Sequence, residues 1–101
     1  MSAELLYHSK VTLLHRRSEA IAVAELKVWR VPKNAHFPEG LKYSLFLVDK
    51  SSGKVLVGFD NHKPKGHHVH IDVSEKPYVF SDVATLVEDF WSQVRKRGFM
   101  T

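Results

Sequence analysis

Between Phe59 and Ile71 the chain reads Phe-Asp-Asn-His-Lys-Pro-Lys-Gly-His-His-Val-His-Ile, and four of its seven histidines, His62, His67, His68 and His70, fall in this stretch. Imidazole is the one side chain whose ordinary pKa lets it both give and take a proton near neutral pH. Asp60, Asn61, Lys63 and Lys65 stand among these histidines, so acids, amides and cations share one short segment. If a strand begins at His67, alternation puts His68 and His70 on one face, about 6.5–7 Å apart, and His67 on the other. Two imidazoles at that separation can act on opposite sides of one phosphate: one takes the 2′-hydroxyl proton of RNA and the other protonates the leaving 5′-oxygen. Lys63, Lys65 and Asn61 would then meet the negative charge that develops on the phosphorane.

Other chemistries compete for the same residues. Imidazoles bind zinc, copper or nickel, and a His-x-His pair on one strand offers two ligands, with Asp60 or Asp72 as a third. No complete ligand spacing is present, so neither a metal nor another cofactor is expected. The loop around Pro64 can also be a plain solvated turn, with His67 half-buried and hydrogen-bonded on the apolar side. Glu25-Leu26-Lys27 has the Glu-x-Lys spacing of metal-dependent nucleases, but the pattern is short and only Glu4 lies upstream as a strand carboxylate. Glu25 and Lys27 join the candidate site if their strand lies beside the histidines.

The elements that must position these groups read mostly as strands. The stretch from 3 to 14 has Leu5, Tyr7, Val11, Leu13 and Leu14 as apolar members, with a bulge expected near Ser9 and Lys10, and His15 to Glu19 make a turn. From 20 to 31, Ala22, Ala24, Leu26 and Val28 alternate with Glu25, Lys27 and Trp29, giving one apolar and one polar face before Pro32 ends the strand. After a loop over 33–40, strands over 41–48 and 54–60 are joined by the polar hairpin loop 49–53. Phe46 and Val48 share a face, and Gly58 marks a bulge or a close backbone approach. The last strand runs 67–73, and 74–80 is a connector. Ser81 or Asp82 then caps a helix whose stripe is Val83, Leu86, Val87, Phe90, Trp91 and Val94, with Arg95, Lys96 and Arg97 in its last turn and Gly98 as its stop. Phe90 and Trp91 are expected in the core rather than on a base-stacking surface. The fold class is α+β: an antiparallel sheet of about five strands with one C-terminal helix packed on one face.

Composition sets the outer limits. A chain of 101 residues with 44% apolar and 26% charged residues builds one domain, taken as 1–101. The chain has no cysteine, which excludes disulfides and thiolate metal sites. Its first residues lack the apolar run of a secretory signal, and no stretch approaches the roughly 18 apolar residues of a membrane helix. Fifteen Lys and Arg against eleven Asp and Glu give +4, a balance that favours polyanionic partners such as RNA.

Several blocks resemble the TumE-type toxin family of bacterial toxin-antitoxin modules along nearly the whole chain. They are Ala3-Glu-Leu-Leu-Tyr-His8, Ala24-Glu-Leu-Lys-Val-Trp-Arg-Val-Pro32, Lys42-Tyr-Ser-Leu-Phe46, Val57-Gly-Phe-Asp-Asn61, Lys65-Gly-His-His-Val-His-Ile71, Pro77-Tyr-Val-Phe80 and Leu86-Val-Glu-Asp-Phe90. The chain departs from the family at Val69, where Arg is usual, and at Phe59, where Tyr is frequent. The resemblance implies a cytoplasmic toxin acting on RNA, encoded beside and bound by a helix-turn-helix antitoxin. Its matching positions imply a site of Asp60, Asn61, Lys65, His67, His68 and His70. The reading is therefore a metal-independent endoribonuclease with His68 and His70 as acid and base. A non-catalytic nucleic-acid or antitoxin-binding module and a histidine metal-binding protein are the alternatives.

Overall fold

The computed structural model describes residues 3–62 and 65–100. A long hairpin founds the sheet. Its arms are β1 (Glu4–His15) and β2 (Ile21–Arg30), paired antiparallel from Leu14 opposite Ile21 outward to Glu4 opposite Arg30. β3 (Leu41–Asp49) and β4 (Val55–Asp60) follow as a second hairpin, whose loop is held by Asp49 Oδ2 accepting from the Ser52 amide and from both serine hydroxyls of the turn. β5 (His68–Ile71) and β6 (Ser74–Pro77) extend the meander. After α1 (Val83–Lys96), β7 (Phe99–Met100) returns to the far edge, giving the order β6-β5-β4-β3-β2-β1-β7. The fold is α+β, with an antiparallel sheet and one C-terminal helix packed against it.

Seven strands stand where about five were expected, and both additions are edge strands without an apolar signature. All four residues of β6 are exposed and it ends on Pro77, which an edge position tolerates because no neighbour needs its N–H. β7 is two residues long. The expected strand over 67–73 ends at Ile71, since Asp72 adopts φ 53° and turns the chain back, leaving Val73 fully exposed rather than on the apolar face. The irregularity in β1 falls between Leu5 and Tyr7, not at Ser9 and Lys10.

One face of the sheet is covered and the other is not. Leu13, Ala22, Ala24, Leu26, Val28, Tyr43, Leu45, Leu47, Val57, Phe59 and Val69 project to the covered side and bury against Leu86, Phe90 and Val94 of α1. The helix forms because its apolar residues recur at helical spacing and because Asp82 Oδ1 accepts from the Thr85 amide at 2.7 Å, capping the first turn. It stops at Gly98, with φ 82°, where a Cβ would come within 2.6 Å of the His15 ring. No helix among the described residues is long and apolar enough to cross a membrane.

Candidate functional site

Register across the sheet decides which candidates meet. On the uncovered face Asp60 stands between Ser44 and His68, while Gly58 stands between Phe46 and His70. Beyond β5, His70 faces Glu75. Asp60, His68, His70 and Glu75 thus share one patch, joined by Lys65 from the loop.

His68 is held from both ring nitrogens. Its Nδ1–H donates to the Gly66 carbonyl at 2.9 Å, and Nε2 lies 2.9 Å from Asp60 Oδ1 and 3.4 Å from Glu75 Oε2. These partners only accept, so a ring protonated on both nitrogens satisfies them all. The His68 and Asp60 side chains are each only 13% exposed, which makes this a sheltered pair rather than a solvated one. Glu75 Oε1 accepts from Lys65 Nζ at 2.6 Å. That bond holds the Glu75 carboxyl below the usual range, and the charges of Lys65, His68 and His70 reinforce the shift against desolvation. His70 makes no hydrogen bond among the described residues and is half-buried beside Gly58, free to meet a ligand. A depression of about 260 Å³ opens beside this patch, with Lys65, His68, Glu75 and Pro77 in its wall.

His67 is turned to the other face, as alternation requires. Its Nε2–H donates to Glu39 Oε2 at 3.0 Å, which leaves Nδ1 to accept from the Tyr43 hydroxyl at 2.8 Å. Phe80 stacks on its ring with centroids 4.9 Å apart. Burial pushes the Tyr43 hydroxyl above the ordinary phenol range, with the charges of neighbouring groups adding to the shift. Asn61 also leaves the patch. Buried to 1% exposure, it accepts from the Tyr43 amide at 2.9 Å and donates to the Leu41 carbonyl at 2.8 Å, extending the β3–β4 pairing with a side chain. Lys63, and with it the Pro64 loop, lies outside the described residues.

Glu25 and Lys27 are on the uncovered face, but β3 and β4 separate them from β5. Three strand spacings place them about 14 Å from the histidine pair. They form a second cluster with a residue that sequence reasoning missed: His8 Nε2–H donates to Glu25 Oε2 at 2.9 Å, with Lys27 Nζ at 3.8 Å. The His8 bond holds the Glu25 carboxyl below its ordinary range; Lys27 and Lys10 strengthen the effect against burial. Counting outward from the turn at 16–20 would have aligned His8 with Lys27 and Lys10 with Glu25, so the signal was present in the hairpin. Glu75 was missed because its strand has no apolar pattern to reveal it.

Among the described residues no group of three or more acidic or histidine side chains is placed to hold a metal ion. Val69 and Phe59, the two departures from the family pattern, are 5% and 2% exposed on the covered face. They therefore leave the His68–His70 patch untouched. A family model described as Toxin TumE matches residues 2–98 of the 101. The chain belongs to the Toxin TumE family. A toxin role follows from membership, and with it an antitoxin partner. No curated protein and no solved structure matches this TumE-family chain significantly.

Proposed function

We propose that this toxin cleaves RNA without a metal ion on the uncovered face of its sheet. The observation that carries the reading is the pair of imidazoles, His68 and His70, side by side on the one face that α1 leaves open. His70, without a protein partner among the described residues, takes the 2′-hydroxyl proton. The oxygen so activated attacks the adjacent phosphorus, and the bond to the 5′-oxygen breaks. His68, oriented by the Gly66 carbonyl at Nδ1, turns its Nε2–H from Asp60 to that leaving oxygen and supplies the proton. Lys65 lies close enough to the patch to offset the phosphorane charge. His67 and Asn61 serve by fixing the sheet beneath. The family resemblance supports a cytoplasmic setting and a helix-turn-helix antitoxin as the neutralising partner.

Induced expression in a bacterial host, with growth and total RNA followed together, tests the reading. Wild type should arrest growth with RNA breakdown, and His70→Ala should abolish both while the purified variant melts as wild type does. Arrest that persists with His68→Ala and His70→Ala combined would remove the pair from the mechanism.

A further inference from the structure

Beyond the histidine patch, the uncovered face carries aromatic rings set between cations. Phe46 on β3 lies over Gly58, where a Cβ would come within 2.4 Å of its ring, so the missing side chain makes the seat for the ring. On the β2 side Phe46 faces Glu25, which faces Lys10 on β1. Four residues along the same two strands, beyond Lys27 and Ser44, Trp29 faces Lys42, whose Nζ stands 5.7 Å from the ring centroid. Both rings are half-buried against the sheet yet open on the side that α1 does not cover.

The charge left over on this face is positive. Lys10, Lys27, Lys42 and Lys65 stand there against Glu25, Asp60 and Glu75, with Glu25 paired to Lys27 and Glu75 to Lys65. Lys10 and Lys42 have no ion pair among the described residues. Strand spacing puts Phe46 about 10 Å from Lys10 on one side and about 10 Å from His70 on the other. Flat rings flanked by cations at such intervals suit a chain of unpaired bases, each offering a π-face to a ring and a phosphate to a cation. A duplex hides those faces in its own stack.

We infer that the uncovered face is a platform for single-stranded RNA, on which bases stack on Phe46 and Trp29 while Lys10 and Lys42 hold the adjoining phosphates and lead the strand toward His70. The inference rests on the RNA-cleaving reading for its ligand, but it concerns other residues and is measured by binding alone. The probe is a fluorescently labelled single strand of 2′-O-methyl RNA, which lacks the nucleophile and stays intact whether or not the protein cleaves RNA.

With the full chain, Phe46→Leu keeps Gly58 covered but removes the π-face, and it should weaken binding about tenfold with the melting temperature retained. Trp29→Leu should act in the same direction. Lys10→Ala with Lys42→Ala should reduce the slope of log affinity against log salt by about 1.4. Unchanged affinity in both aromatic variants, or equal affinity for the duplex form of the probe, would overturn the platform. So would failure to bind the strand at low salt, which would favour a protein-docking face. Cleavage of ordinary RNA that ignores Phe46 would spare the histidine mechanism and remove the platform. Binding that depends on Phe46, without any cleavage, would do the reverse.

Discussion

His67 and His68 are neighbours in sequence and opposites in setting, as are Asn61 and Asp60. On the covered face, His67 is sandwiched with Tyr43 and Phe80, and Asn61 spends both ends of its amide on the backbone of β3. On the uncovered face, His68 Nε2 lies 2.9 Å from Asp60 Oδ1 beside a groove, and His70 has no protein partner among the described residues. Side-chain type does not separate the two settings. Parity along the strand does, because every step of one residue moves a side chain to the other face. A fully buried polar group such as Asn61 must find its partners within the protein, since none is offered by water, and is then committed to the fold. The same group on the open face can retain capacity for a ligand.

The largest expected effect on this contrast comes from the covered side. Phe90→Ala removes a fully buried ring that meets Phe59 and Trp91, and should lower unfolding free energy by about 3–5 kcal/mol in urea titration. His70→Ala should stay within about 0.5 kcal/mol of wild type. Comparable losses from both would mean that the open face is structural as well. Asn61→Ala comes next: it strands a buried N–H on Tyr43 and a carbonyl on Leu41, at a cost of about 2 kcal/mol or more by the same titration. A near-neutral result would show that water can replace the amide there, and that the covered face is less closed than its burial implies.

The two faces of β2 were legible in sequence because alternation needs only the residues of one strand, whereas for β3 parity grouped Phe46 with Val48 without saying that theirs is the uncovered face. The α1 stripe, its Asp82 cap and the Gly98 stop were legible for the same local reason. Pairing His68 with His70, and setting His67 apart, required nothing beyond parity. What lay hidden was the lateral order of strands. Glu25 and Lys27 share the histidines' face, yet β3 and β4 stand between them, and that distance is a property of topology. The edge strands β6 and β7 escaped because an exposed strand has no burial to write into its composition, and with β6 went Glu75. Asn61 looked like a substrate donor since an amide that completes a backbone ladder has the same sequence signature as one that binds a ligand.

A smaller effect tests how the open face is built. Gly58→Ala pushes a methyl into the Phe46 ring, which must swing away, at a cost of about 1–2 kcal/mol. In a Phe46→Ala background the same change should instead be neutral or stabilising, because glycine within a strand carries an entropic disadvantage of about 0.5–1 kcal/mol. The double-mutant cycle by urea titration reads this coupling directly. Independent, additive losses would mean that the ring does not depend on its glycine seat.

The subtlest difference between the faces should appear in pH dependence, with each face limiting stability at a different end. On the open face, the folded pKa of Glu25 and Glu75 is lowered, chiefly by hydrogen bonds from His8 and Lys65 respectively. The stability these carboxylates contribute is present above their unfolded value of about 4.3 and is lost as pH falls through the folded values. On the covered face, burial raises the folded pKa of Tyr43 and Tyr78, the latter with help from its hydrogen bond to Asp89. Their contribution is complete below the unfolded value of about 10 and is lost as pH rises through the folded values. Melting temperature followed across pH should therefore decline at both ends, with the acid limb flattened by Glu25→Gln with Glu75→Gln and the alkaline limb by Tyr43→Phe. Tyr43→Phe keeps the ring stacked between its neighbours while removing the hydroxyl that His67 accepts, so its acid limb should match wild type. An alkaline limb that survives Tyr43→Phe unchanged would assign that loss to Tyr78 and leave the Tyr43–His67–Glu39 chain without a part in it.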